Sequence, residues 1–360
     1  MSTERFNYSS YLKIPELLSI QHPVSFKTNQ PAHDEMLFVT VHQVFELWMK
    51  QIIFEFDSVV SMFQSNFIDE RNIGIAYARL NRISEIQKLF IQQIEVLETM
   101  TPLDFLDFAN LLVGASGFQS FQFRLIEAKL GLKRSERLLY NNRPVDADLV
   151  EGERKQIADA ESAPTLFTVI ETWLERMPFI KSKDYSFVDA FAQATKSLVE
   201  QEMCEIQKCA GYEKEIRLKR ITEINRQFAT VLDENAHNQE VTAGNRKFSY
   251  RAMLAALFIS LYRDEPIVHL PFKVLEAVSR IDGELAHWRY RHALMVMRMV
   301  GSKPGTGGSS GYDYLIKTIE AHRVFKDLMS ITTLFIPRSQ LPKLPATIER
   351  SLGFIYTYEQ

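Results

Sequence analysis

Apolar residues recur at helical spacing along almost the whole chain. Over residues 33–63, Leu37, Val41, Val44, Trp48 and Ile52 form one stripe, with Phe38, His42, Phe45 and Met49 beside it. This predicts a long helix, apolar nearly all round and central to a bundle. Pro31 precedes it, and Asp34 and Glu35 fall in its opening turn, where acidic side chains complement the helix macrodipole. Residues 79–100 repeat the period through Leu80, Ile83, Ile86, Leu89, Phe90, Ile94 and Leu97. Thr101-Pro102 ends that helix, because proline disfavours helical backbone in the residue before it. Shorter helices are predicted over 104–113 and 123–132, with a Gly/Ser/Gln-rich turn at 115–122 between them.

Beyond this the pattern alternates between polar and apolar stretches. Residues 141–163 read as a long polar connection and 235–247 as a second loop broken by Gly244. Helices are expected over 165–177, 187–200, 201–234 and the strongly apolar 249–262, and Pro266 and Pro271 set the entry to a helix ending near Met299. No alternating strand pattern of useful length and no internal repeat occurs. The expected fold class is all-α, a helical bundle in one domain spanning 1–360, less typical and partly looped around 134–247.

Composition narrows the function classes. A formal net charge of −3 argues against nucleic acid or an anionic membrane as partner, since such binding needs clustered Lys and Arg. Two cysteines, Cys204 and Cys209, lack zinc-ligand spacing and are too few for a disulfide framework, which suits a reducing cytoplasm. No run of about 18 apolar residues suggests a membrane span, and the polar start, broken by Pro15, does not resemble a signal peptide.

Candidate chemistry concentrates between Ile281 and Gly311. His292 shares a helical face with Ile281, Leu285, Trp288, Met295 and Met299, and is followed by a loop with five glycines in eleven residues, 301–311. The loop is not a phosphate-binding P-loop, because Lys303 precedes the glycines and no Gly-Lys-Ser/Thr closes it. Its place between two apolar helices favours a segment that closes over a site. Two Glu-x-x-His pairs, Glu234 with His237 and Glu284 with His287, have the spacing of di-metal carboxylate bundles, although the first lies in a polar, loop-like stretch. His42 and His292 each sit within an apolar stripe. A hydrogen-bonded core histidine accounts for each; so does a haem pocket, with one neutral imidazole on iron and a second group across from it.

Several long motifs, in order, resemble the haem-dependent tryptophan 2,3-dioxygenase family. They are Pro31-Ala32-His33-Asp34-Glu35-Met36-Leu37-Phe38 with His42-Gln43 and Glu46-Leu47-Trp48; Leu97-Glu98-Thr99-Met100-Thr101-Pro102-Leu103-Asp104-Phe105; Ser116-Gly117-Phe118-Gln119-Ser120; Trp288-Arg289-Tyr290 with His292; and the glycine loop. The resemblance runs from about Tyr8 to Pro342 and is weakest over 134–240. It implies a helical homotetramer with one non-covalent haem b per subunit, ferrous when active, and O2 as co-substrate. It further implies His292 as proximal iron ligand with Trp288 beside the cofactor, and His42 as the distal histidine that meets the indole N–H. Phe38 and Phe105 would wall the indole, with Leu112 near it. Tyr8 and Tyr11 would enter a neighbouring subunit's pocket, and Thr306 would meet the substrate's amino-acid end.

One departure bears on substrate. Where the family carries an arginine for the substrate carboxylate, four residues beyond the pocket aromatic, this chain has Ala109, on the same helical face as Phe105. The expectation drawn from it is an indole whose carboxylate is absent, masked or bound differently. The alternatives are tryptophan itself, with another base such as Arg124 or one from a neighbouring chain in the arginine's place, and a non-catalytic haem or indole sensor.

Overall fold

A computed structural model describes residues 7–65, 68–112, 119–140, 142–182, 185–208, 211, 213–301 and 311–353. Two short helices open the chain, α1 (Tyr8–Leu12) and α2 (Ile14–Leu18), the second beginning with Pro15 in its first turn, where a missing N–H costs no hydrogen bond. The frame is set by α3 (Glu35–Phe63), α4 (Glu70–Leu97), α5 (Pro102–Ala109) and α6 (Phe121–Leu130). Five further helices follow: α7 (Glu151–Ser162), α8 (Leu166–Glu175), α9 (Phe187–Lys208), α10 (Lys214–Leu232) and α11 (Glu234–Thr242), of which α8 lays Leu166, Ile170 and Leu174 into the core. The chain then forms α12 (Tyr250–Leu261), α13 (Pro266–Val300), α14 (Gly311–Ala321), α15 (Lys326–Ser330) and α16 (Ala346–Leu352). Among the described residues the only sheet is a two-residue antiparallel pairing of Lys181–Ser182 with Tyr185–Ser186.

The seam between α4 and α13 organises the frame. On α4 the buried side chains Ile73, Ala76, Leu80, Ile83, Gln87, Phe90, Ile94 and Leu97 alternate steps of three and four, the 3.5-residue period that keeps one face on a partner helix. The helices run parallel: Gly74 lies against Leu270, Asn81 accepts from Arg280, and Arg291 pairs with Glu98. Gln87 reaches across to the Ile281 carbonyl at 3.2 Å. α3 packs against α4, α6 against α3, and α14 covers the second half of α13.

The structure corrects several expectations. α3 is not apolar on all sides in its packing: Leu47 and Phe54 are exposed, Phe54 by 69%, and the helix buried all round is α12, where every residue from Ala252 to Leu261 is in the core. α4 starts nine residues before the expected position, and Asp69 caps it by accepting from the Arg71 N–H. The expected loops at 141–163 and 235–247 contain α7 and α11. Each helix buries only one or two side chains, Ile157 and Ala160 on α7 and His237 on α11, too few to leave an apolar period. The break expected near residue 200 lies instead between α9 and α10. Pro271 is inside α13 rather than before it, in the second turn. Gly131 ends α6 at φ 120°, and a Cβ there would stand 2.5 Å from that of Phe167, so glycine is required both by conformation and by close approach.

Candidate active site

A cavity of about 480 Å³ opens where α3, α6, α13 and α14 meet, within the usual size range of small-molecule sites. His42, Phe38, Leu112, Trp288 and His292 all line it. Phe105 joins the same wall through its ring, 6.0 Å from Phe38. Trp288 and His292, one turn apart on α13, stack with ring centroids 5.0 Å apart and planes within 15°. Phe123 lies 4.9 Å from Trp288, with Phe45 and Phe90 edge-on to the indole. An imidazole clamped this way cannot turn freely.

Hydrogen bonding fixes the state of both imidazoles. His42 Nδ1 lies 2.8 Å from the Phe38 carbonyl oxygen. A carbonyl only accepts, so Nδ1 carries the proton and Nε2 is left as an acceptor. Burial holds the His42 pKa below its ordinary value despite the Phe38 carbonyl and the Glu46 charge, which act the other way. His292 is pushed down to about 4, by burial first and then by the nearness of His42 and Arg124. Both rings are therefore neutral at pH 7. Nδ1 of His292 and Nε1 of Trp288 are buried without a hydrogen-bond partner. A neutral, partly cavity-facing imidazole stacked on Trp288 has the donor chemistry of an axial haem ligand, and the flat apolar walls fit a macrocycle.

The remaining candidates separate clearly. Tyr8 and Tyr11 are 77% and 72% exposed and do not line the cavity of their own chain. Ala109 is half-buried at the end of α5 and is not among the lining residues. Thr306, most of the glycine loop, and Ser116-Gly117-Phe118 lie outside the described residues. The two Glu-x-x-His pairs share no site: His237 is fully buried with Nε2 2.8 Å from the Phe248 carbonyl, whereas His287 is on the surface, 3.7 Å from Glu284. Among the described residues no cluster of three or more His, Cys, Asp or Glu is placed to hold a metal. Likewise no described helix is long and apolar enough to cross a membrane.

Sequence reasoning missed three carboxylates that build the site. Glu35, taken as a macrodipole partner, is buried and accepts the backbone N–H groups of Val24 and Ser25 at 2.7 and 2.8 Å, fixing the strap that carries His22 and Val24 to the cavity rim. Glu46 accepts from the Ser120 hydroxyl at 2.7 Å and the Gln122 amide at 2.8 Å, tying α3 to the start of α6. Glu127, also in the cavity lining, accepts from Arg124 and Arg289, both at 2.8 Å. Arg124 thus bonds a carboxylate of its own helix through one guanidinium nitrogen while lining the cavity. The available signal was charge inside apolar runs, as at Glu127 between Ile126 and Ala128.

An all-helical cavity with two neutral imidazoles on an aromatic wall has the form of a site for a flat ligand or cofactor. The profile of the tryptophan 2,3-dioxygenase family matches residues 1–335. Tryptophan 2,3-dioxygenase of Bdellovibrio bacteriovorus is 45% identical, over 97% of this chain and 98% of its own. The enzymes of that name from Dictyostelium discoideum and Aedes aegypti are 42% and 40% identical, each over 97% of this chain, covering 88% and 90% of their own lengths. The chain belongs to the tryptophan 2,3-dioxygenase family. These relatives favour tryptophan itself over the modified indole expected from Ala109, and an enzyme over a sensor.

Proposed function

We propose that the protein is a tryptophan 2,3-dioxygenase, converting tryptophan and O2 to N-formylkynurenine with one non-covalent haem b per subunit. The observation that carries this reading is the pair of neutral imidazoles in one aromatic cavity, His42 with its proton on Nδ1 and His292 clamped by Trp288. Bound at His292, ferrous haem would supply O2 binding and oxygen delivery to the indole C2–C3 bond. The chain's own residues do the rest. His42 Nε2, held as an acceptor by the Phe38 carbonyl, receives the indole N–H and fixes which edge of the ring faces the reacting centre. Phe38, Phe105 and Leu112 exclude water from it. The sequence contains no Cys-x-x-Cys-His for covalent attachment, which supports non-covalent haem.

The exposed Tyr8 and Tyr11, together with exposed Leu103, Leu106 and Leu111 at and just beyond α5, support a homotetramer in which N-terminal residues complete a neighbour's pocket. Thr306 is assigned to the substrate's amino-acid end.

The test is anaerobic reduction of the haem-loaded enzyme followed by tryptophan and ¹⁸O2. The expected product is N-formylkynurenine with both oxygen atoms labelled and no consumption of external reductant, since tryptophan plus O2 has the product's composition. Absence of that product, or one labelled atom, overturns the reading. Ala109 adds a second prediction. Restoring arginine by Ala109→Arg is expected to raise the preference for tryptophan over tryptamine by roughly tenfold or more, the scale of a buried charge pair. An unchanged ratio of the two kcat/KM values would show that this position does not meet the carboxylate.

A further inference from the structure

Three residues on one face of α3, each four positions from the next, stand along the cavity wall: Phe38, His42 and Glu46. One turn before His42, the Phe38 carbonyl accepts its Nδ1–H. One turn after it, Glu46 is held at both oxygens. Oε1 accepts from the Ser120 hydroxyl at 2.7 Å and Oε2 from the Gln122 amide at 2.8 Å, and the same amide nitrogen donates to the Glu46 backbone carbonyl at 2.8 Å. With both oxygens accepting, Glu46 stands as a carboxylate anion. Ser120 is fixed in turn, because its oxygen caps α6 by accepting the Phe123 N–H at 3.2 Å.

A charge on an aromatic wall costs desolvation that an apolar side chain would avoid. Joining α3 to α6 does not require it either, since a neutral amide at position 46 also accepts hydrogen bonds. What only the charge does is act on His42. It raises the affinity of that imidazole for a proton, against the larger effect of burial. The same field strengthens Nε2 as a hydrogen-bond acceptor, because accepting a bond polarises the ring in the direction that protonation completes.

We propose that Glu46 is a positioning residue for the indole: its fixed carboxylate strengthens His42 Nε2 as the acceptor of the indole N–H. This rests on the tryptophan reading above, which places that N–H on His42. Phe38 and Glu46 then act on one imidazole from opposite sides. The first fixes which nitrogen accepts, the second how strongly.

The experiment measures, by equilibrium titration of the intact haem-loaded protein without O2, the dissociation constants of tryptophan and of its benzofuran analogue, which keeps the ring shape but has oxygen in place of N–H. The wild type is expected to prefer tryptophan by roughly tenfold, the scale of one hydrogen bond. Glu46→Gln keeps an acceptor for Ser120 and loses the charge, and should reduce that preference roughly threefold, the scale of one partly exposed charge. Glu46→Asp keeps the charge and should retain most of the preference. Gln122→Met cuts one bond of the latch but leaves the charge, and should weaken both ligands alike with the ratio kept. A merely structural role would shift both constants together in every variant, so an unchanged ratio in Glu46→Gln overturns the proposal. So does a lost preference for tryptophan over indole-3-propionate with the benzofuran ratio intact, which would give Glu46 to the substrate's ammonium group. Wild-type protein that binds tryptophan and the benzofuran equally would instead overturn the placement of the indole N–H on His42.

Discussion

His292→Ala is expected to yield folded protein that purifies without haem and shows no Soret band when haem is added, whereas His42→Ala retains both. The argument separates two energies. Toward the protein, His292 contributes little beyond its stack on Trp288, because Nδ1 is buried without a partner and removing an unsatisfied polar group relieves its desolvation cost. The apo protein should therefore unfold at a urea midpoint close to that of the wild type. Toward haem, His292 is the neutral imidazole this reading places on iron, and its loss should lower affinity by orders of magnitude. Free imidazole, diffusing into the space the side chain leaves, should restore the Soret band in part. Normal haem content in His292→Ala would refute the assignment.

The second large effect is expected at Glu127. Burial alone would raise its carboxyl pKa, but Arg124, the His322 hydrogen bond and Arg289 together outweigh burial and hold it well below the ordinary carboxylate value. Glu127→Gln would leave two buried guanidinium groups without a counter-charge. Breaking a buried pair from one side typically costs about 3–5 kcal/mol, read as a fall in the urea midpoint of the apo protein. Because the folded pKa is depressed, the contribution of Glu127 is fully present above its unfolded pKa of roughly 4.3 and is lost as pH falls toward the folded value. The gap between wild type and Glu127→Gln should thus be constant from pH 7 down to about 5 and shrink only under stronger acid. Replacing Arg124, Glu127 and Arg289 together by apolar residues of similar volume should recover much of the stability. A midpoint for Glu127→Gln within error of the wild type would mean the cluster does not carry the charge balance described.

How much of this could be read from the sequence depended on where each element's partners lie. α12 and the later part of α13 were legible because their apolar stripes are long and need no context. α7 and α11 were not: Val150 donates to Glu153 and Asp233 accepts from the Asn235 N–H, so capping and a few buried residues make these helices, without an apolar period. At the site, His42 and His292 stood out as imidazoles within apolar stripes. Their tautomers did not, because the Phe38 carbonyl is backbone and carries no sequence signature. The Glu127 cluster was invisible for a different reason. Arg124 and Glu127 are three residues apart, but Arg289 and His322 are 162 and 195 residues further along from Glu127.

Those separations also bear on the order of folding. Local contacts form before distant ones, since closing a long loop costs chain entropy that only later contacts repay. The bond between Leu138 and His322 closes a span of 184 residues, and α14 must dock before it can form. The α4–α13 seam closes spans longer still, 194 residues at Gln87–Ile281 and 199 at Asn81–Arg280, so the frame and this cavity wall both belong to the late, non-local stage of folding. The cavity could close around a cofactor only after the chain had been made through α14.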